Sequence, residues 1–344
     1  MNKVATIDAR GRAELFAETA ARKNLAEAII EKDFWVCWVL KQLFSTNAFE
    51  GRLLFKGGTS LSKIFPAINR FSEDIDLAVD YVALGFTGDN DPRQENTSRT
   101  KRNAILEEMM GTCRVYIAGE FLGAFRRRCA DILGAGDGWS LDVSKTDPNA
   151  VEFRYPVAGT KGLDYVNRRV VLELGTHAEF VPHGQFTLRS FAGQEFPDVV
   201  TDRDVSVKAL LAKRTFWEKA VILHAEYHRP PEKPMPDRYS RHYYDVAMMA
   251  EGKIKDEALA DKDLLPQVVK HKETFYPSGW ARYDLAQRGS LRLVPPDSRI
   301  KALEQDYKKM GVMIFGQQPS FKWVLDRLAV LEKEANKQPE PRSA

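Results

Sequence analysis

Between residues 6 and 45 the apolar positions recur at helical intervals. Ile29, Val36, Leu40 and Leu43 share one stripe, and Glu27, Glu31, Lys32 and Lys41 fall on other faces. The pattern then shortens. Residues 52 to 55 (RLLF) read as a short apolar strand that the following glycines end. Leu61 to Phe65 reads as a brief helix, and Asp74 to Val79 as a returning strand. Residues 85 to 103 are polar and turn-rich and predict a loop, whereas 104 to 133 regain helical spacing. Four strands are expected next, at Leu141 to Lys145, Val151 to Tyr155, Arg168 to Leu174 and Gln185 to Phe191. Past Thr201 the pattern turns helical over 204 to 228, 240 to 251 and 320 to 336, with a proline-rich linker at 229 to 238. The tail from Glu334 is polar and expected to fray. This order predicts an α+β chain: an N-terminal helical segment at 1–50, a mixed α/β core at 51–200 and a C-terminal helical domain at 201–344.

Composition narrows the class. Hydrophobic residues make up 44% and charged residues 29% of the 344, as in a folded globular protein. A net charge of +3 signals no general affinity for polyanions, so any nucleic-acid contact has to come from local patches. Cys37, Cys113 and Cys129 are odd in number, far apart and form no CxxC pair. They predict neither a disulfide framework nor a cysteine zinc site, and fit a reducing cytosol. The start, MNKVATIDARGRAEL, lacks a signal-peptide apolar stretch. The longest apolar run, Phe34 to Leu40, is seven residues, against the roughly 20 that span a membrane. A cytoplasmic protein without a membrane partner is the expectation.

The stretch FKGGTSLSKIFPAINRFSEDIDLAVD (55–80) carries the candidate chemistry. Alternation along a strand puts Asp74 and Asp76 on one face and Ile75 and Leu77 on the other. Two ionised carboxylates about 7 Å apart on one strand repel, and a divalent cation bridging them removes the penalty. Mg²⁺ suits such a pair, completing its shell with water and substrate phosphates. The plain alternative is an edge strand with solvated acids, which the alternation fits equally well. The Gly57-Gly58-Thr59-Ser60 turn supplies context: glycines let the backbone approach a phosphate, N–H groups at a helix start attract anions, and the two hydroxyls add donors. The turn is not a P-loop, because Ser62 stands where GxxxxGK[ST] requires glycine.

FKGGTSLSK…RFSEDIDL closely resembles the AbiEii/AbiGii toxin family of nucleotidyltransferases, in the DNA polymerase β-like superfamily with the MenT toxins as relatives. EKDFWVCWVL (31–40), VKALLAKRTFWEKAVILHAEYHRP (207–230), SRHYYDVAMM (240–249) and DYKKMGVMIFG (306–316) extend the resemblance to most of the chain outside roughly 85 to 140. It implies a polymerase β-like nucleotidyltransferase core, a mixed sheet with flanking helices, between N-terminal helices and a C-terminal helical domain. It implies that Gly58, Thr59 and Ser60, within a turn that includes Gly57, contact nucleotide phosphates. Asp74 and Asp76 match the metal-binding acids, Lys208 the lysine that meets the triphosphate, and Asp245 a later essential acid. The 13 residues between Ser60 and Asp74 exceed the family's usual spacing, so individual hydroxyl contacts follow less directly than the acids.

What the resemblance implies in function is a toxin of a toxin–antitoxin or abortive-infection system. It would transfer NMP from an NTP, with Mg²⁺ or Mn²⁺, to the 3′ end of a tRNA, block translation, and be neutralised by a separately encoded antitoxin. A protein or small-molecule acceptor keeps the same chemistry, and a nucleotide- or RNA-binding module without turnover is the third reading. Glu173, in RRVVLELG, shares a face with Arg169 and Val171 and is either a third carboxylate acting as base or metal ligand or a solvated acid. Lys208 lies four residues after Asp204 near an expected helix start, and Asp245 four after Arg241, so ordinary i,i+4 ion pairs compete with the implied roles. Lys56, Lys63 and Arg70 flank the turn within reach of phosphates, or are plain surface cations. His224 and His228 share a helix face, but HAEYH is not HExxH and a third ligand is missing, so metal binding is rejected there. Arg126–Arg128, Lys213–Arg214, Lys308–Lys309 and the aromatic- and arginine-rich 275–293 are candidate RNA contacts set against solvated faces. Trp35, Trp38, Trp217 and Trp323 are expected in the core.

Overall fold

The computed structural model describes residues 1–136, 138–160 and 167–337, so part of the tail expected to fray lies outside the described residues. The chain forms two compact units, one of Met1–Ile64 with Phe71–Leu210, the other of Phe65–Arg70 with the chain from Leu211 onward.

The first unit opens with helices α1 (Asn2–Thr6), α2 (Ala9–Lys23) and α3 (Glu27–Phe44). The continuous helix expected over 6–45 is interrupted. Asp8 caps α2 by accepting from the Gly11 N–H at 2.7 Å, and Asn24 ends it in the left-handed region at φ 52°. Helix α3 is buried on nearly every side. The expected charged faces are corrected here, because Glu31 and Lys32 are 1% exposed and Asp33 is 3% exposed.

Strand β1 (Leu53–Lys56) leads directly into α4 (Gly57–Lys63), which starts on the glycines rather than at Leu61. Strand β2 (Asp74–Val79) falls where the alternation put it. The polar loop ends at Ser98, whose Oγ accepts from the Lys101 N–H at 3.2 Å and caps α5 (Arg99–Tyr116). A π-helical turn joins it to α6 (Leu122–Leu133), followed by β3 (Ser140–Val143), β4 (Ala150–Arg154), β5 (Val170–Gly175), β6 (His183–Leu188), α7 (Phe191–Glu195) and β7 (Val205–Leu210).

The sheet order is β3-β4-β5-β2-β1-β7-β6. Strand β2 runs parallel to β5 and antiparallel to β1, while β1 runs parallel to β7, so the sheet is mixed. One face carries Leu53, Phe55, Ile75, Leu77, Leu172 and Val207 into the main core with Phe34, Trp35 and Trp38 of α3. The other carries a small apolar patch of Leu54, Ala78 and Leu210 under Ala178 and Phe180.

The expected helix over 204–228 is corrected. Val205–Leu210 is strand, and α8 begins at Ala212. VKALLAK suits either period, but pairing with β6 over His183↔Leu210 to Leu188↔Val205 fixes the strand. The α+β class and the strands from Ala150 to Leu188 otherwise stand as expected.

The second unit holds α8 (Ala212–Tyr227), α9 (Ser240–Met249), α10 (Lys253–Ala260), α11 (Leu264–Phe275), α12 (Asp297–Met310) and α13 (Phe321–Ala335). Trp217 is fully buried and its Nε1–H donates to the Ala258 carbonyl at 3.0 Å. Trp323 departs from expectation: it is half-buried with the Arg327 guanidinium 5.7 Å from its ring centroid. Segment 65–70 joins this unit through an Arg70–Ile314 bridge and the Asn69 amide, which donates to the Phe315 carbonyl at 2.7 Å. All three cysteines are free and buried. Among the described residues no helix is long and apolar enough to cross a membrane.

Candidate active site

The sheet register gathers charged groups in one row. Asp76 lies opposite Lys56 on β1 and opposite Glu173 on β5, so the three project from the same face. Asp74, two residues away, lies opposite Val171 and shares that face. Asp74 and Asp76 are half-buried, and Glu173 is exposed. Because Phe55 pairs with Ala209, Lys208 projects from this face too, two strands from Asp76. Its Nζ lies 5.7 Å from the Phe180 ring centroid. The i,i+4 pairing considered for Lys208 is absent, since Asp204 is bound instead to Arg189.

The turn is built against this row. Gly57 adopts φ +80°, and a β-carbon there would fall 1.8 Å from Asp76 Oδ2. Glycine is therefore required twice over, by backbone conformation and by the carboxylate's approach. The hydroxyls of the turn face elsewhere. Thr59 Oγ1, 1% exposed, donates to the carbonyls of Ser72 and Asp74, and Ser60 Oγ donates to the Gly57 carbonyl at 2.9 Å. They clamp α4 to the start of β2. Gly58 is buried beside them.

Helix α3 braces the same turn from beneath. Lys63 Nζ lies 2.6 Å from Asp33 Oδ1 and 4.2 Å from the Phe191 ring centroid, while Asp33 Oδ2 accepts from the Phe191 N–H. Burial works against the Lys63 ammonium, but Asp33 more than offsets it and raises its pKa. Lys63 is thus an internal ion-pair partner. Lys32 Nζ reaches Glu73, next to Asp74, at 2.6 Å, and Glu31 accepts from the Ala158 N–H and the Thr160 hydroxyl. These groups were missed in the sequence. Their signal was three consecutive charged residues with apolar runs on both sides, in AIIEKDFWVCW.

Asp245, in the second unit, is fully buried. Arg70 donates to both its oxygens, at 2.7 and 2.8 Å, and Lys219 Nζ lies 2.9 Å from Oδ2. These partners replace the considered i,i+4 pairing with Arg241. Burial alone would raise the Asp245 pKa, but Arg70 and then Lys219 hold it well below the usual carboxylate range. In the same unit both His224 nitrogens are engaged, Nε2 with the Arg282 carbonyl and Nδ1 with the Arg292 N–H, each at 3.0 Å. The basic patches are partly committed to local partners: Arg126 to the Leu141 carbonyl, Arg128 to Gln42, Lys213 to Asp261, Arg214 to Glu218, Lys308 to Glu304 and Arg288 to the Leu259 carbonyl.

Among the described residues no group of three or more His, Cys, Asp or Glu side chains is disposed to hold a metal. Asp74 and Asp76 nevertheless form an oxygen-only pair on one face. That pair fits Mg²⁺ or Mn²⁺, which bind one or two carboxylates and take remaining ligands from water and phosphate. Glu173 belongs to the row without completing a cluster.

A family model described as nucleotidyl transferase AbiEii toxin, type IV TA system, matches residues 38–327. No curated protein matches significantly. Among solved structures, MenT4, a nucleotidyltransferase toxin from Mycobacterium tuberculosis H37Rv, is similar at 18% identity and a TM-score of 0.48, over 94% of this chain and 92% of that one.

Proposed function

Because this chain belongs to the AbiEii nucleotidyl transferase toxin family, whose model spans residues 38–327, we propose that it transfers NMP from an NTP to a tRNA 3′ end. It is a nucleotidyltransferase of a toxin–antitoxin family; in the proposed reading it acts in the cytoplasm, the modified tRNA blocks translation, and a separately encoded antitoxin neutralises it. The observation that carries the site is the Gly57 main chain held against the Asp76 carboxylate, with no space for a β-carbon between them.

Gly57 and Gly58 leave the turn's main chain open to phosphate oxygens. Lys56 and Lys208 project from the same face and offset the triphosphate's charge. Thr59, Ser60 and Lys63 keep the turn in place from inside, and contact with the nucleotide is assigned to backbone and to Lys56 and Lys208. Asp74 and Asp76 would hold Mg²⁺ or Mn²⁺, which when bound activates the attacking hydroxyl and stabilises charge on the leaving pyrophosphate. The acceptor oxygen forms a bond to the α-phosphorus, the bond from that phosphorus to the β-phosphate oxygen breaks, and pyrophosphate departs. Glu173, exposed opposite Asp76, would receive the acceptor's proton in this reading. Asp245 is the buried anchor of Arg70 and Lys219, a role that supports its being essential.

The test is incubation with labelled NTPs, divalent metal and cell lysate, followed by separation of RNA, protein and small molecules. Label is expected in tRNA with the wild type and in nothing with Asp76→Asn. Label in protein or a small molecule would refute the tRNA acceptor, and none anywhere would refute the transfer.

A further inference from the structure

Helix α3 carries three charged residues in succession, Glu31, Lys32 and Asp33, and all three are buried. Neighbouring helical positions point about 100° apart, so each side chain reaches a different segment of the first unit. Both Glu31 oxygens accept at 2.6 Å, from the Ala158 N–H and the Thr160 hydroxyl, and Arg168 donates to the Thr160 carbonyl at 2.7 Å. Asp33 holds Lys63 and the Phe191 N–H. Lys32, between them, donates to Glu73 at 2.6 Å and to the Asn167 carbonyl at 3.1 Å.

The two acceptors of Lys32 stand at the entrances to neighbouring strands. Glu73 is bonded to Asp74, the first residue of β2, and Asn167 lies just before Val170, the first of β5. These strands pair in parallel from Asp74↔Val171, and their register sets Asp76 opposite Glu173. No hairpin fixes that register, because β3 and β4 lie between β2 and β5 in the chain. One ammonium with an acceptor from each entrance ties the strands at the end where the acids lie.

Stability is a poor account of this lysine, since apolar side chains of similar volume often match or better a buried ion pair. What an apolar contact lacks is direction: Lys32 meets two acceptors along defined N–H bonds. A metal site demands placement to within about 0.5 Å, and Asp74 is one peptide bond from Glu73. We propose that Lys32 is a positioning residue for the metal-binding acids, setting Asp74 and Asp76 on β2 against Glu173 on β5. The inference rests on the reading of Asp74 and Asp76 as ligands of Mg²⁺ or Mn²⁺. It deepens that reading from the acids to the group that places them.

Mn²⁺ binding to the resting protein, followed by loss of the free-ion EPR signal, reads the acid pair without turnover. The wild type is expected to bind saturably, and Asp76→Asn to lose that binding. Lys32→Met alone strands the Glu73 carboxylate, so the informative variant pairs it with Glu73→Gln and removes both charges. The paired variant is expected to keep the wild-type urea midpoint while binding Mn²⁺ about 10-fold or more weakly, the usual cost of losing a group that orients metal ligands. Its kcat for NMP transfer should fall by a similar factor, with KM for the NTP little changed. Phe34→Leu, a core change on the same helix, supplies the comparison: a lower urea midpoint with Mn²⁺ binding intact. Should the paired variant fold poorly, Glu73→Gln alone is expected to weaken Mn²⁺ binding in the same direction, and wild-type affinity there counts against the proposal equally. Wild-type Mn²⁺ affinity in the folded paired variant, or a loss that Phe34→Leu shares, overturns the positioning role and leaves the metal reading standing. Absence of Mn²⁺ binding in the wild type, or its persistence in Asp76→Asn, removes the metal reading and this inference with it.

Discussion

Gly57 and Asp76 are adjoining parts in the first unit, the absent β-carbon of one occupying the place of the other's Oδ2 to within 1.8 Å. Gly57→Ala must both strain a backbone at φ +80° and displace the carboxylate. The expected outcome is near-complete loss of NMP transfer with a stability cost of about 1–2 kcal/mol, in line with other strained left-handed positions. The decisive comparison is with Asp76→Ala and the double variant. If Gly57 acts through Asp76, the double variant transfers no less than Asp76→Ala alone, whereas additive losses would show an independent role.

The hydroxyls of the turn give a contrasting expectation. Ser60 Oγ is fully buried and donates to the Gly57 carbonyl. Ser60→Ala should lower stability by about 1 kcal/mol through the lost hydrogen bond while leaving KM for the NTP unchanged. A several-fold rise in KM with unaltered stability would return Ser60 to direct phosphate contact.

The contrast shows which parts of the site could be read in advance. Asp74, Asp76 and the face they share followed from strand alternation, because that period is a property of the backbone. Alternation gave Glu173 only a face shared with Arg169 and Val171, and it is the register that sets it opposite Asp76. Lys208 was identified as a residue but put on the wrong element, since a segment suited to either period is settled by its neighbours in the sheet. The need for glycine at 57 was invisible because it depends on a side chain 19 positions away in the chain. The pairing of Lys63 with Asp33 and the partners of Asp245 were hidden for the same reason, although the burial of Asp33 left a trace in the apolar runs around it. Arg70 and Asp245 are 175 positions apart, and nothing local distinguishes a buried ion pair from two surface charges.

Asp245 should be essential first to folding of the second unit. Its carboxylate faces two cations in a site closed to water, so removing the charge strands both. Asp245→Asn is expected to cost about 3–5 kcal/mol, the usual consequence of breaking a buried pair from one side. Adding Lys219→Met should recover part of that loss, and urea titration of the single and double variants measures it. Full stability in Asp245→Asn, with activity lost, would point instead to a direct catalytic role.

His224 sets the expected pH dependence of the same unit. A carbonyl accepts from Nε2 and an N–H donates to Nδ1, so the geometry demands the neutral ring with its proton on Nε2. Burial is the main cause that lowers its pKa, helped by His228 and Arg292 and opposed by the Arg282 carbonyl and Asp284. With the folded value below the unfolded one of about 6.5, the unfolded chain binds more protons as pH drops. The contribution is therefore complete above pH 6.5 and lost on acidification toward the folded value, at about 1.4 kcal/mol per pH unit at most. Urea midpoints at pH 7.5 and 5.5 should fall more steeply for the wild type than for His224→Gln, whose amide can donate and accept but does not titrate. Equal slopes in the two proteins would show that His224 does not set the acid limit.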